Sequence, residues 1–217
     1  MLTPFSLYFI FQIRYKGPIY WHRPNLRIKT KKMQIRKAKK EDAIQIAELM
    51  ILAMTEIVYQ FIGKEDFEEG KKFLKTLIEQ EKNQYSYECI FVVENQDGIL
   101  GQICLYPGAQ LEQLRQPVLD YIKTQYAIDY EVANETQAGE IYVDTIAVSA
   151  TAQGKGIGKL LLNHVIEEYV HKNKEVVGLL VDFDNPDAKR LYEKLGFVVK
   201  KELSIFGKKM EHMQYKA

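Results

Sequence analysis

The chain has two cysteines and four histidines in 217 residues. Cys89 and Cys104 lie in apolar, strand-like runs with no metal-ligand spacing, and His22, His164, His171 and His212 are scattered. A disulfide framework and a zinc module are both excluded, and a reduced, metal-free, cytoplasmic protein is expected. Internal repeats and low-complexity tracts are absent, so solenoid architectures and long disordered segments are excluded too. Acids are missing from residues 1–40, which hold eleven Lys or Arg. That segment also lacks the basic start and small-residue cleavage site of a secretory signal, and its apolar run Phe5 to Ile13 is far shorter than the roughly 20 residues a membrane helix needs. No membrane partner is expected. The segment shows no helix-turn-helix pattern either, so nucleic acid is not an expected partner.

What is present is an ordinary globular composition, 47% hydrophobic and 27% charged, at a length that fits one domain. The net charge of +1 conceals an asymmetry: residues 33–217 carry 23 basic and 29 acidic side chains. Residues 1–32 read as an extension outside the fold, or upstream of the true start, because "MQIRKAKKEDAIQIAELM" from Met33 already opens as a strand followed by an acid-started helix.

Periodicity orders the remainder. A strand at Met33 to Ala38 precedes a helix from Asp42 to Ile62, whose apolar residues (Ile44, Ala47, Leu49, Leu52, Ile57, Val58) recur at helical spacing. A second helix runs from Phe67 to Ile78. "ECIFVVENQDGILGQICLYPG" reads as two strands around Asp97-Gly98, a strong hairpin signal. Residues 109–139 form an acidic insertion with an amphipathic helix over Leu111 to Tyr126. Next come the strand "EIYVDTIAV", a glycine-rich segment opening a helix to about His171, the strand "EVVGLLVDF", the helix "NPDAKRLYEKLGF" and closing strands from Phe197 to Tyr215. Strands and helices interleave around a hairpin, so an α/β fold with a mixed sheet, parallel only in its second half, is predicted.

The segment "AQGKGIGKLLL" supplies a strand, then glycines, then a helix, which is the arrangement that offers free backbone N–H groups to an anion. Its spacing is wrong for a Walker A loop, and Leu160 stands where that loop needs Ser or Thr. The alternate Gly154, Gly156 and Gly158 do not make a dinucleotide fingerprint. They do make Q-x-x-G-x-G, from Gln153 to Gly158, directly after the end of a strand. That pattern resembles the pyrophosphate loop of the GNAT (N-acetyltransferase) superfamily. Downstream, "NPDAKRLYEKLGF" is similar to the family's second signature, with Asn185, Ala188, Leu191, Tyr192, Gly196 and Phe197 in place. Two motifs in order and at the right distance make the resemblance specific, and the element order from Met33 to Tyr215 agrees with it apart from the insertion.

The resemblance implies a single N-acetyltransferase domain over residues 33–217, with acetyl-CoA as co-substrate and no metal. By the same likeness, Gln153, Gly154, Lys155, Gly156, Ile157, Gly158 and Lys159 would hold the pyrophosphate, and the backbone of Ile146, Ala147 and Val148 would pair with the pantetheine arm. Asn185 is first a helix cap, with Pro186 at the first helical position, and the likeness adds a place beside that arm. Tyr192, two helical turns on, would be the general acid for the leaving thiolate; half-buried packing is its plain alternative.

An amine attacks only when neutral, and a lysine-like amine has a pKa of about 10.4, so a carboxylate base is sought. Glu140, Tyr142 and Asp144 share one strand face by period-two alternation. Glu140 is the first candidate base and Asp144 the second, with solvated strand-end charges as the alternative for both. The acidic body favours a cationic acceptor such as a polyamine, an aminoglycoside-like compound or a lysine-bearing protein, acted on by a monomer or homodimer. A non-catalytic acetyl-CoA sensor is the competing class.

Overall fold

Strand β1 (Gln34–Lys37) leads into helix α1 (Ala43–Ile62), and Arg36 fixes the junction by donating to both carboxylate oxygens of Asp42 at 2.6 and 3.0 Å. The computed structural model describes residues 33–131, 133–205 and 207–217. The N-terminal extension 1–32 therefore lies outside the described residues.

Buried positions in α1 recur every three or four residues, at Ala43, Ala47, Met50, Met54 and Val58, as one helix face requires. Ile44 and Leu52 lie off that stripe and are 56% and 48% exposed, so they are surface residues and not part of the predicted apolar face. At Met54 the backbone leaves helical geometry (φ −140°, ψ 32°) and kinks α1. Helix α2 (Phe67–Ile78) is capped by Asp66, whose carboxylate accepts from the Glu69 N–H at 3.0 Å. The β2 (Ile90–Asn95) and β3 (Gly98–Pro107) strands form the predicted hairpin. The insertion folds as α3 (Leu111–Tyr126) and an irregular return, and α3 lays Val118 and Ile122 against α1 and α2.

β4 (Ile141–Val148) is followed by the glycine segment and α4 (Ile157–Val165), which runs on as a π-helical stretch, Ile166–Lys172. Then come β5 (Val177–Asp182), α5 (Pro186–Leu195), β6 (Val198–Ile205) and β7 (Lys208–Tyr215). The seven strands make one sheet in the order β1-β2-β3-β4-β5-β7-β6. Among the described residues only β4 and β5 pair in parallel, which matches the expectation for the second half of the chain. One face is covered by α1, α2 and α3 around Phe73, Leu74 and Ile90. The other is covered by α4 and α5 around Leu161, Val165 and Val181. Alternation along β2 and β3 divides these cores, since Val92 and Cys104 point to the first and Val93 and Ile103 to the second.

Candidate active site

β4 and β5 are hydrogen-bonded neighbours at three positions only, Ile141 with Val177, Tyr142 with Gly178 and Val143 with Leu179. Beyond Val143, β4 keeps its partner β3, while β5 continues along β7. The β5-facing edge of β4 from Asp144 to Val148 therefore has no strand partner among the described residues. Unpaired backbone groups inside a sheet demand another partner, and an extended chain entering the gap provides one.

A cleft of about 1040 Å³, its open mouth included, fills this opening. One wall is β4, with Tyr142, Asp144, Thr145 and Ile146; the opposite wall holds Asp182 from β5, and Asn185 and Tyr192 from α5. That Asp144, Thr145 and Ile146 all reach the cleft reflects a bulge. The β3–β4 register jumps between Cys104/Thr145 and Leu105/Val143, which leaves Asp144 as the extra residue. A bulge turns the strand and re-aims its side chains.

Asp144 is bound by neutral groups: the Tyr106 hydroxyl donates to it at 2.8 Å and the Gln84 amide at 3.3 Å. Burial, reinforced by the nearby Glu135 carboxylate, pushes its pKa up to about 7. Glu135 comes from the return of the insertion and is buried in an ion pair with Arg115 of α3. Burial still holds its carboxyl above the ordinary range, against the pull of Arg115. The Tyr106 oxygen also lies 3.2 Å from Glu135 Oε1, so its one hydroxyl proton is shared between the two carboxylates. Arg115, Glu135, Tyr106 and Gln84 were missed by the sequence reading, since partners twenty to sixty residues apart share no spacing.

Glu140 stands elsewhere, and its candidacy as base requires correction. It sits where β4 and β5 are still joined, does not line the cleft, and is 5% exposed. Its oxygens accept from Thr136 Oγ1 at 2.6 Å, Gln214 Nε2 at 2.6 Å and His212 Nε2 at 2.9 and 3.0 Å. Burial alone would raise its pKa, but these bonds outweigh it and hold the carboxyl below the usual range. Gly178 leaves room for it: a Cβ there would lie 2.1 Å from Glu140 Oε2. The group is a structural tie between β4 and β7.

Tyr192 lies on the wall facing Asp144, is 7% exposed, and packs on Phe197 at 5.9 Å between ring centroids. Burial raises its hydroxyl to about 12, so it holds its proton at any ordinary pH. Asn185 caps α5, its Oδ1 accepting from the Ala188 N–H at 3.2 Å, while its Nδ2 is buried without a partner among the described residues. An unpartnered buried donor at a cleft wall is costly unless a ligand acceptor meets it.

At the mouth of the strand gap, α4 begins. Gly154 and Gly156 have φ of +73° and +80°, which side chains resist, and a Cβ on either would meet nothing within 4 Å. The first helical bond there runs from the Leu160 N–H to the Gly156 carbonyl, so the N–H groups of Ile157, Gly158 and Lys159 point forward unclaimed by the helix. Gly158 has ordinary helical geometry and lies over the end of β4; a Cβ would just touch Val148 and Ile146 at 3.9 and 4.0 Å. Gln153 and Lys159 are exposed beside it, and Lys155 donates back to the Thr151 carbonyl at 2.7 Å. The cleft thus brings together Asp144, Ile146, Asn185 and Tyr192, while the glycine loop lies at the start of α4 against the end of β4, outside the cleft lining, as do Ala147, Val148 and Glu140.

Comparison with known proteins identifies the family and the fold. The sequence model of the Acetyltransferase (GNAT) family matches residues 55–197, well over half of the chain. A solved acetyltransferase structure superposes with a TM-score of 0.72 at 29% identity, covering 84% of this chain and 98% of that one. An N-acetyltransferase from Staphylococcus aureus Mu50 gives 0.70 at 23% identity, over 84% and 100% of the two chains, a likeness of fold. Among curated proteins, the mycothiol acetyltransferase of Gordonia bronchialis is 36% identical over 64 residues, 30% of this chain and 20% of that protein. That of Paenarthrobacter aurescens is 45% identical over 60 residues, 28% and 18% of the two. The matched stretch thus spans about a fifth of these relatives' length.

Proposed function

The chain belongs to the Acetyltransferase (GNAT) family and is an acetyltransferase, and from that premise we propose that it transfers acetyl from acetyl-CoA directly to an amine bound against Asp144. The observation that carries the reading is the parting of β4 from β5 with Asp144 on one side of the cleft and Tyr192 on the other.

The residues present fit the coenzyme. Open positive-φ glycines and forward-pointing N–H groups at the start of α4 suit a pyrophosphate, with Lys159 adding charge. The partnerless edge of β4 suits the amides of a pantetheine arm, and the unpaired Nδ2 of Asn185 suits one of its carbonyls. When bound, acetyl-CoA supplies an activated acetyl group and a thiolate leaving group.

The protein's share of the chemistry is positioning and proton movement. Asp144, with its pKa near 7, is ionised in a large fraction of molecules at neutral pH and can take the proton of an incoming ammonium. The Tyr106 hydroxyl and the Gln84 amide fix its orientation. Tyr192 keeps its hydroxyl proton and delivers it to the sulfur that leaves.

Calorimetric titration with acetyl-CoA, run beside a thiol-release assay over an amine panel, tests it. Coenzyme binding with release is expected, and Tyr192→Phe should cut turnover roughly 100-fold or more with coenzyme affinity nearly unchanged. Full activity in that variant would remove Tyr192 from the reaction, and binding without release from any amine would favour a sensor.

A further inference from the structure

The acceptor end of the cleft carries less charge than its residue types announce. Three carboxylates line it, from Glu135, Asp144 and Asp182. Glu135 is paired with Arg115, and Asp182 lies 3.5 Å from the Lys208 ammonium, which also pairs with Glu56 at 2.9 Å. Asp144 has only the neutral Tyr106 and Gln84 as hydrogen-bond partners among the described residues. Of the three, Asp144 is therefore the carboxylate with no basic side chain paired to it among the described residues, and the one free to meet a bound cation.

Beyond these polar neighbours, the cleft has one apolar side. The kinked α1 lends Met54, Ile57 and Phe61, and α3 lends Val118 and Leu119. Tyr85 and Tyr142 also line the cleft, aromatic rings of the kind that can attract a cation. The acidic insertion is thus divided by its own helix: Glu112 and Asp120 are exposed, while Val118 and Leu119 reach the cleft. Of its charged side chains only the paired Glu135 and Arg115 line the cleft.

Resting on the acetyl-transfer reading above, we propose that the acceptor is a lipophilic primary monoamine, with one nitrogen at Asp144 and an aryl or alkyl body between α1 and α3. The second charge of a polyamine would be buried among these apolar side chains without a counter-ion, which is disfavoured. A lysine in a polypeptide would bring backbone amides against the same walls without hydrogen-bond partners. In the transfer, the ammonium loses one proton to Asp144, the N–C bond forms as the C–S bond breaks, the second nitrogen proton is lost to water, and the thiolate takes the Tyr192 proton, which Tyr192 regains from solvent as Asp144 releases its own.

The test is thiol-release kinetics of the full chain with acetyl-CoA and 2-phenylethylamine, hexylamine, putrescine, spermidine or a lysine-containing peptide. The two monoamines should exceed spermidine in kcat/KM by about 100-fold, chiefly through KM. Leu119→Asp, at a half-buried wall position, should move the preference toward putrescine by about tenfold or more. If that variant folds poorly, as read by circular dichroism, Ile57→Glu makes the same change from the other helix. A preference for spermidine or the peptide, or an unaltered preference in folded variants that bind acetyl-CoA normally, overturns the inference and leaves acetyl transfer standing. Coenzyme binding with no release from any amine overturns both.

Discussion

Asp144 and Glu140 are four residues apart, yet their surroundings drive their carboxyls in opposite directions. Glu140 accepts from three donors and its carboxyl is held below the usual range, whereas Asp144 accepts from two neutral groups beside another carboxylate and titrates at about 7. A base must be ionised to act, so kcat/KM should rise with pH through about 7 and level above it. Asp144→Asn should abolish that limb and lower the plateau by about 10² to 10⁴. The same variant should change stability in a pH-dependent way. Because the folded pKa lies above the unfolded value of about 3.9, the folded state binds the proton more tightly between those limits, so stability falls as pH rises from about 4 to 7. Asparagine escapes this cost. Asp144→Asn should therefore be stabilised relative to the parent at pH 8, by about 1 to 3 kcal/mol after discounting for water in the cleft, and gain little at pH 4, as denaturant melts at both pH values will register. Glu140→Gln should act conversely, leaving the pH limb in place while costing about 1 to 3 kcal/mol of stability through the broken tie to His212.

At the scale of elements, the glycine turn before α4 performs its task with backbone alone. Gly156→Val would force a branched side chain into φ +80° and cover the N–H groups at the helix start. KM for acetyl-CoA should rise about tenfold or more while the amine KM stays within about twofold, a split that steady-state kinetics over both substrates resolves. This element was legible in the sequence because spacing within nine residues carries it. The helices were legible for the same reason, since the stripe in α1 and the Asn185-Pro186 start of α5 are local signals. The bulge at Asp144 was not. It is set by pairing with β3, a strand forty residues earlier, and it changes which side chains after Tyr142 meet the cleft.

The whole molecule behaves as a sheet opened along one seam, with a core packed on each of its faces. A ligand that bridges that seam and binds only the folded form must stabilise it. Saturating acetyl-CoA at about 100 times its Kd should add about 2.7 kcal/mol, visible as a rise of several degrees in Tm. No rise would mean the seam is not the coenzyme's place. The sequence by itself determined the α/β class, the element order, the hairpin and the two glycine- and asparagine-centred motifs, because each is carried by residues close together in the chain. Only the tertiary structure decided which carboxylate faces the cleft. His212 lies 72 positions beyond Glu140 and claims it, while Glu135 and Arg115 of the insertion close around Asp144. Proton affinity depends on neighbours in space, and neighbours that distant leave no period for a sequence to show.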